Sequence, residues 1–344
     1  MKILSIVGAR PQFVKAAVFR KYCHENDVNE ILLHTGQHFD FEMSVGIFKE
    51  LDVLYPDITH QLSERSHAGM TGELLYFIEK QIIDIKPDFV NVYGDTNSTL
   101  AGALAAAKLH IPVIHIEAGL RSFNKKMPEE INRILTDHIS DYLFCPTFDS
   151  QKNLKKENIT NGVYHVGDIM FDAVKLFKNK FKFPKSIKNY DAKKLAVMTV
   201  HRADTVESPI RLKEVIEFCN QYTDKFEVIF PVHPNTCNKI KEFSISTGNI
   251  QTINPVSYLE MQGLLEKAEL VFTDSGGLQK EAYFHGCDCI TLRDQTEWVE
   301  TIEAGWNTLW KNTGDHKNKI NINEYGNGNT SDTIIKILKE VKID

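Results

Sequence analysis

Short uninterrupted apolar runs alternate along this chain with longer stretches whose apolar positions recur at helical spacing. In the first half the runs are Ile3 to Val7, Glu30 to His34, Phe89 to Tyr93, Val113 to Ile116 and Tyr142 to Cys145, each short enough for a strand buried on both faces. Between them lie helical stretches. One starts near Pro11, and a second covers Asp40 to Leu51. A third covers Ala68 to Ile85, with Leu74, Leu75, Ile78 and Ile82 on one face. Ser98 to Leu109 is alanine-rich, so that helix is expected to pack closely on its sheet, and Glu129 to Ile139 is another helix. Strand and helix in strict alternation predict a parallel, doubly wound sheet.

The pattern breaks over residues 171–194, where Phe177-Lys178-Asn179-Lys180-Phe181-Lys182-Phe183-Pro184-Lys185 is basic, aromatic and interrupted by proline. We read it as a solvated connection. Alternation then resumes with strands at Ala196 to Val200, Glu227 to Pro231, Ile250 to Ile253, Leu270 to Thr273 and Asp288 to Leu292. Residues 311–330 are polar loop, and a last helix carries Ile334, Ile335 and Leu338 on one face. The expected fold is α/β, with two Rossmann-like doubly wound lobes and a central cleft. The N-terminal lobe takes residues 1–170, the connection 171–194 and the C-terminal lobe 195–344, with the last helix a candidate to pack back on the first lobe.

Bulk composition narrows the function. The chain has 344 residues, a size for two domains, and its 42% hydrophobic and 25% charged content is ordinary for a globular protein. A net charge of -6 disfavours nucleic acid and anionic membranes as partners. The N-terminus reads as a buried strand and not a signal peptide, and charged residues interrupt the best apolar run, so a cytoplasmic location is expected. The six cysteines have no CxxC pairing and no metal spacing, and are read as reduced thiols.

Ligands of open parallel sheets bind outside the carboxyl ends of the strands. There the first half delivers Gly8-Ala9-Arg10-Pro11 with Lys15 one turn on, then Asp95, then Glu117 and Arg121, with Glu129 and Glu130 opening the next helix. The second half delivers His201 and Arg202, His233, Tyr258, Ser275-Gly276-Gly277, and Arg293. The stretch Leu270 to Ala282 reads as strand, Ser-Gly-Gly turn and helix. Its glycines allow close backbone approach, and its helix start favours a phosphate. Glu281, one turn in, suits a pair of sugar hydroxyls. Singly, each has a plainer explanation: Asp95 as a cap, Glu129 and Glu130 as first-turn carboxylates, His201 as a structural histidine. No GxGxxG or GxxxxGK[ST] loop is present, so a nicotinamide dehydrogenase is disfavoured. His34 and His38 flank Thr35-Gly36, which argues against a helical metal pair.

Taken in order, Gly8-Ala9-Arg10-Pro11, His34-Thr35-Gly36-Gln37-His38, Gly94-Asp95-Thr96, His115-Ile116-Glu117-Ala118-Gly119-Leu120-Arg121, Pro128-Glu129-Glu130-Ile131-Asn132-Arg133, His201-Arg202 and Asp274-Ser275-Gly276-Gly277 carry a resemblance. The chain resembles the non-hydrolysing UDP-N-acetylglucosamine 2-epimerases. That resemblance implies a glycosyltransferase-B type fold, a cytoplasmic homodimer and a role in polysaccharide biosynthesis. It implies elimination of UDP across C1–C2 of the sugar to give a 2-acetamidoglucal, then re-addition, with no nicotinamide and no metal. By the same resemblance Asp95, Glu117, Glu129 and His201 are catalytic. Arg10, Lys15, Tyr258, Ser275, Gly276, Gly277, Glu281 and Arg293 bind UDP, with Glu281 on the ribose. Arg202 and His233 match a second-sugar activating site, although the glutamine expected there aligns with Ser44.

Two departures bear on the sugar. The segment before the Pro-Glu-Glu motif is shortened to Ser122-Phe123-Asn124-Lys125-Lys126-Met127, and Asp294-Gln295-Thr296-Glu297-Trp298-Val299-Glu300 replaces the usual Thr-Glu-Arg-Pro segment. Both look like the sub-branch acting on UDP-2,3-diacetamido-2,3-dideoxyglucuronate. Lys125, Lys126 and Trp298 are thus the specificity candidates, the lysines as partners for a uronate carboxylate or simply as solvated loop residues. A retaining glycosyltransferase, a non-catalytic UDP-sugar sensor and a hydrolysing epimerase are the alternatives.

Overall fold

The computed structural model describes residues 1–37, 41–187, 194–313 and 318–341, with backbone only for 41–45. His38, Asp40 and the Ser44 side chain lie outside the described residues. The chain divides into two compact units, Met1–Leu176 with Asn323–Asp344, and Phe177–Ile322.

The first unit contains β1 (Lys2–Val7), α1 (Arg10–Glu25), β2 (Asn29–His34), α2 (Phe41–Leu51), β3 (Ile58–Thr59), α3 (His67–Ile85), β4 (Phe89–Tyr93), α4 (Asn97–Lys108), β5 (Val113–Ile116), α5 (Pro128–Ile139), β6 (Tyr142–Cys145), α6 (Phe148–Lys156), β7 (Val163–His165) and α7 (Ile169–Phe177), whose last residue opens the second unit. The strands form one sheet of order β3-β2-β1-β4-β5-β6-β7, every pair parallel. Strand order reverses between β1 and β4, so the turns after Val7 and Tyr93 are neighbours at the carboxyl edge, where such sheets bind ligands. The alanine-rich α4 does pack closely: a Cβ at Gly102 would stand 2.7 Å from Ile6 Cδ1.

The second unit contains β8 (Lys194–Thr199), α8 (Ala203–Val206), α9 (Pro209–Asn220), β9 (Phe226–Pro231), α10 (Pro234–Glu242), β10 (Gln251–Ile253), α11 (Tyr258–Leu265), β11 (Ala268–Thr273), α12 (Gly276–Phe284), β12 (Asp288–Thr291), α13 (Val299–Glu303) and β13 (Asn307–Leu309). Its parallel sheet has the order β10-β9-β8-β11-β12-β13. Here the reversal falls between β8 and β11, which brings the His201 turn beside Ser275-Gly276-Gly277. The last helix, α14 (Thr330–Glu340), belongs to the first unit.

The expected connection over 171–194 is corrected. Residues up to Leu176 continue α7 in the first unit, and the aromatic segment after them packs on the second unit. The Phe181 ring lies 5.6 Å from that of His285, the Lys182 amide donates to the Leu259 carbonyl, and Phe183 joins an apolar cluster with Ile187 and Leu264. Partly burying those rings outweighs the pull of the interleaved lysines toward water. All six cysteines are free thiols, and burial pushes Cys145 and Cys287 up to about 12. Among the described residues no helix is long and apolar enough to cross a membrane.

Candidate active site

In the first unit four of the sequence candidates gather at the carboxyl edge of the sheet. Lys15, one turn into α1, is buried and its Nζ lies 2.7 Å from Glu117 Oε2. Glu117 follows β5 with φ 71°, a left-handed conformation rare for a residue with a side chain. Such strain persists where the surroundings hold it, often at functional positions. Asp95 follows β4 and accepts a 2.5 Å bond from Arg133 Nη2. Its side chain is 30% exposed, yet dense surroundings push its carboxyl above the usual range. Glu117 and Glu129 add to that rise, and Arg133 and Lys15 oppose it, so all five groups share one electrostatic neighbourhood. Arg10 is exposed at the start of α1, and Lys125 and Lys126 are exposed on the loop before α5.

The scaffold beneath was not legible from motif reading. Gln12 Oε1 accepts from the amides of Gly8 and Ala9, and Gln12 Nε2 donates to the Tyr93 carbonyl. One side chain thus ties together the two turns at the switch point. Asn132 donates to the Asp95 carbonyl, while Glu130 accepts from the Ser122 and Phe123 amides and from Arg133. Glu130 therefore shapes the shortened loop. Arg133 stands in the Pro128 to Arg133 motif, and helical spacing, which puts it on a face with Glu129 one turn earlier, is the signal that could have given it a role at the site.

In the second unit Asp274, fully buried, accepts from the backbone amides of both His201 and Arg202, and His201 Nδ1 lies 3.4 Å away. This carboxylate holds the His201 turn against the Ser275 turn. The Ser275 hydroxyl caps α12, whose leading amides have no partner within the helix. Against that helix start stands Glu297: a Cβ on Gly276 would lie 2.4 Å from its Oε1 and 3.4 Å from Trp298 Nε1. Arg293 Nη1 donates to Glu297 at 2.9 Å. Trp298 is buried with its indole 3.8 Å from Lys280 Nζ, so it packs behind the turn and is not an exposed wall. Glu281, also buried, accepts from Gln262, whose own carbonyl faces His285 Nε2 at 2.8 Å. Burial holds His285 down at about 4, so the ring is neutral. Tyr258 is buried at the start of α11, and His233 is an exposed cap on α10. Among the described residues no group of three His, Cys, Asp or Glu side chains converges as a metal site requires.

The family model described as UDP-N-acetylglucosamine 2-epimerase matches residues 20–339. The chain belongs to that family. It is 49% identical over 314 residues to the UDP-2,3-diacetamido-2,3-dideoxy-D-glucuronate 2-epimerase of Pseudomonas aeruginosa, covering 90% of this chain and 88% of that protein. It is 45% identical over 364 residues to a UDP-N-acetylglucosamine 2-epimerase homolog of Methanococcus maripaludis, covering 99% and 100%. Among solved structures, the Methanocaldococcus jannaschii UDP-GlcNAc 2-epimerase in complex with UDP-GlcNAc and UDP matches with TM-score 0.85 and 37% identity over 98% of this chain and 99% of that one. This member of the UDP-N-acetylglucosamine 2-epimerase family is thus an isomerase of UDP-sugars with a two-lobed α/β fold.

Proposed function

We propose that this epimerase inverts C2 of UDP-2,3-diacetamido-2,3-dideoxyglucuronate, releasing UDP to give the 2-acetamidoglucal and adding it back. The observation that carries the reading is the shared neighbourhood of Asp95, Glu117 and Glu129 with Lys15 and Arg133. The C2 proton is hardly acidic, so its removal must accompany departure of the leaving group. The C1–O bonding pair leaves with the diphosphate and returns with it, and the reaction balances without a nicotinamide or a metal. One base and one acid on opposite sugar faces are required. Glu117, ion-paired with Lys15, is the carboxylate suited to accept the C2 proton. Asp95, with its carboxyl raised, is suited to deliver a proton. Glu129 sits beside them and favours the oxocarbenium character developing at C1.

Within the second unit the amides of Ser275-Gly276-Gly277, His201 and Arg293 are suited to leaving-group charge, and within the first unit Arg10 is a cation of the same kind. Glu281 takes the ribose, with Tyr258 beside the nucleotide. Arg202 and His233 contribute to a second-sugar site, and Lys125 or Lys126 meets the uronate carboxylate. Trp298 acts through the turn it packs behind. The 49% identity to the diacetamidoglucuronate enzyme supports that substrate. We propose a homodimer in the cytoplasm.

Proton NMR in D2O tests this, with UDP-N-acetylglucosamine and UDP-2,3-diacetamido-2,3-dideoxyglucuronate each supplied to purified protein. The expected result is deuterium at C2 and a manno product still bearing UDP, faster with the uronate. Free sugar plus UDP would move the chain to hydrolysis. UDP binding with no exchange in either sugar would sink the epimerase reading for both.

A further inference from the structure

His115 lies on β5, two residues before Glu117, and is fully buried. Its Nδ1 is 2.7 Å from Asp137 Oδ1, and its Nε2 is 2.7 Å from the carbonyl oxygen of Gly94, the residue before Asp95. A carbonyl oxygen can only accept. Asp137, on α5, also receives Arg121 Nη1 at 2.6 Å and the Gly119 amide at 3.1 Å. Burial alone would raise its carboxyl, but the permanently charged Arg121 guanidinium bonded to it opposes that rise and keeps it ionised, so it accepts only. A neutral imidazole would leave one ring lone pair facing an acceptor in a buried site, an arrangement that interiors avoid.

We infer that His115 is a doubly protonated positioning residue, which donates from one ring nitrogen to the turn bearing Asp95 and from the other to the carboxylate that holds the turn bearing Glu117. The charges balance: His115 and Arg121 face Asp137 and Glu157, the last bound bidentately by Arg121 at 2.7 and 2.8 Å. One side chain therefore sets the spacing of two carboxylates whose chemistry tolerates little error. The left-handed backbone of Glu117 is braced by the same contacts, since Asp137 fixes Gly119 two residues on. This role rests on the catalytic reading of Asp95 and Glu117 proposed above.

Two conservative variants separate the two bonds. In His115→Gln the amide nitrogen falls near Nε2 and keeps the donation to Gly94. In His115→Asn it falls near Nδ1, keeps Asp137 and releases the Gly94 carbonyl. His115→Asn is expected to lose kcat about 10- to 100-fold with unchanged affinity for UDP, and His115→Gln to retain most of it. In histidine-labelled wild-type protein, the 15N signals missing from the variants should show two protonated ring nitrogens at neutral pH. One folded variant is enough to identify those signals, and a ring nitrogen without a proton would overturn the proposal whatever the variants' kcat. Wild-type kcat in both folded variants, with only Tm lowered, would assign His115 to stability alone. Asp95→Asn is the control. If it turns over at the wild-type rate, the catalytic reading and this role fall together. If it is inactive while His115→Asn keeps wild-type kcat, the positioning role alone fails.

Discussion

Glu30 shows how a single buried residue couples this fold to pH. It lies on β2, and its nearest cation is Arg20 at 3.5 Å, which Asp57 draws off at 2.8 Å. Burial pushes its carboxyl up to about 7, against the opposing field of Arg20. Because the folded group holds its proton more tightly than the unfolded one, folding takes up a proton from about pH 4.5 to 7. Stability from this residue is thus undiminished at low pH and lost as pH rises toward 7. The loss is on the order of 3 kcal/mol once it ionises. Glu30→Gln resembles the protonated acid, so its gain in Tm over wild type should be larger at pH 8 than at pH 5. Equal gains at both pH values would mean that Glu30 is not protonated in the fold. At this scale the sequence disclosed the residues that strand ends deliver directly: Lys15, Asp95, Glu117 and His201. It did not disclose Gln12 or Asp137, and it gave Asp274 and Glu297 only as members of motifs, without their roles. Each of these acts on backbone or charge contributed by a distant segment, and only the folded topology brings such partners together.

Among the elements, long buried strands were plain as apolar runs, whereas β3, β7 and β13 were not. Each is short and lies at or next to a sheet edge, so it lacks a double-sided apolar signature. The turn before α12 was legible as a phosphate-ready helix start, but the carboxylate against it was not, because Glu297 arrives from the next βα connection. Gly276 is therefore constrained by a neighbour as well as by a ligand. Gly276→Ala should favour the helix slightly by propensity. Its Cβ, however, would collide with Glu297, which Arg293 pins in place. The expected outcome is a modestly lower Tm together with at least about tenfold weaker UDP binding by calorimetry, the equivalent of 1.4 kcal/mol. Wild-type affinity would show that Glu297 moves aside without consequence.

For the whole molecule, the decisive feature is that the first unit is not continuous in sequence. Its sheet is complete by β7, yet α14 returns to it after the entire second unit. The helical spacing of Ile334, Ile335 and Leu338 was readable and the last helix was a candidate to pack back on the first lobe, but periodicity alone gives a face and no address. Asp172 on α7 supplies the address. Its carboxylate accepts the Thr330 and Ser331 amides at 3.0 and 2.8 Å, capping α14, and those bonds offset part of the rise that burial imposes on it. Lys339 at the far end donates to the Asn26 carbonyl after α1. The Ile334, Ile335 and Leu338 side chains are fully buried, and each is worth about 2 kcal/mol of transfer from water. A chain ending at Ile322 loses that burial and strands the Asp172 carboxyl without its partners, a sum comparable with the whole stability of a typical domain. Calorimetry should then show the transition of the first unit lost or shifted far down, while the unit from Phe177 to Ile322, which keeps its own sheet and core, unfolds as before. If both transitions survived unchanged, α14 would be an appendage and the first unit would be complete at Leu176.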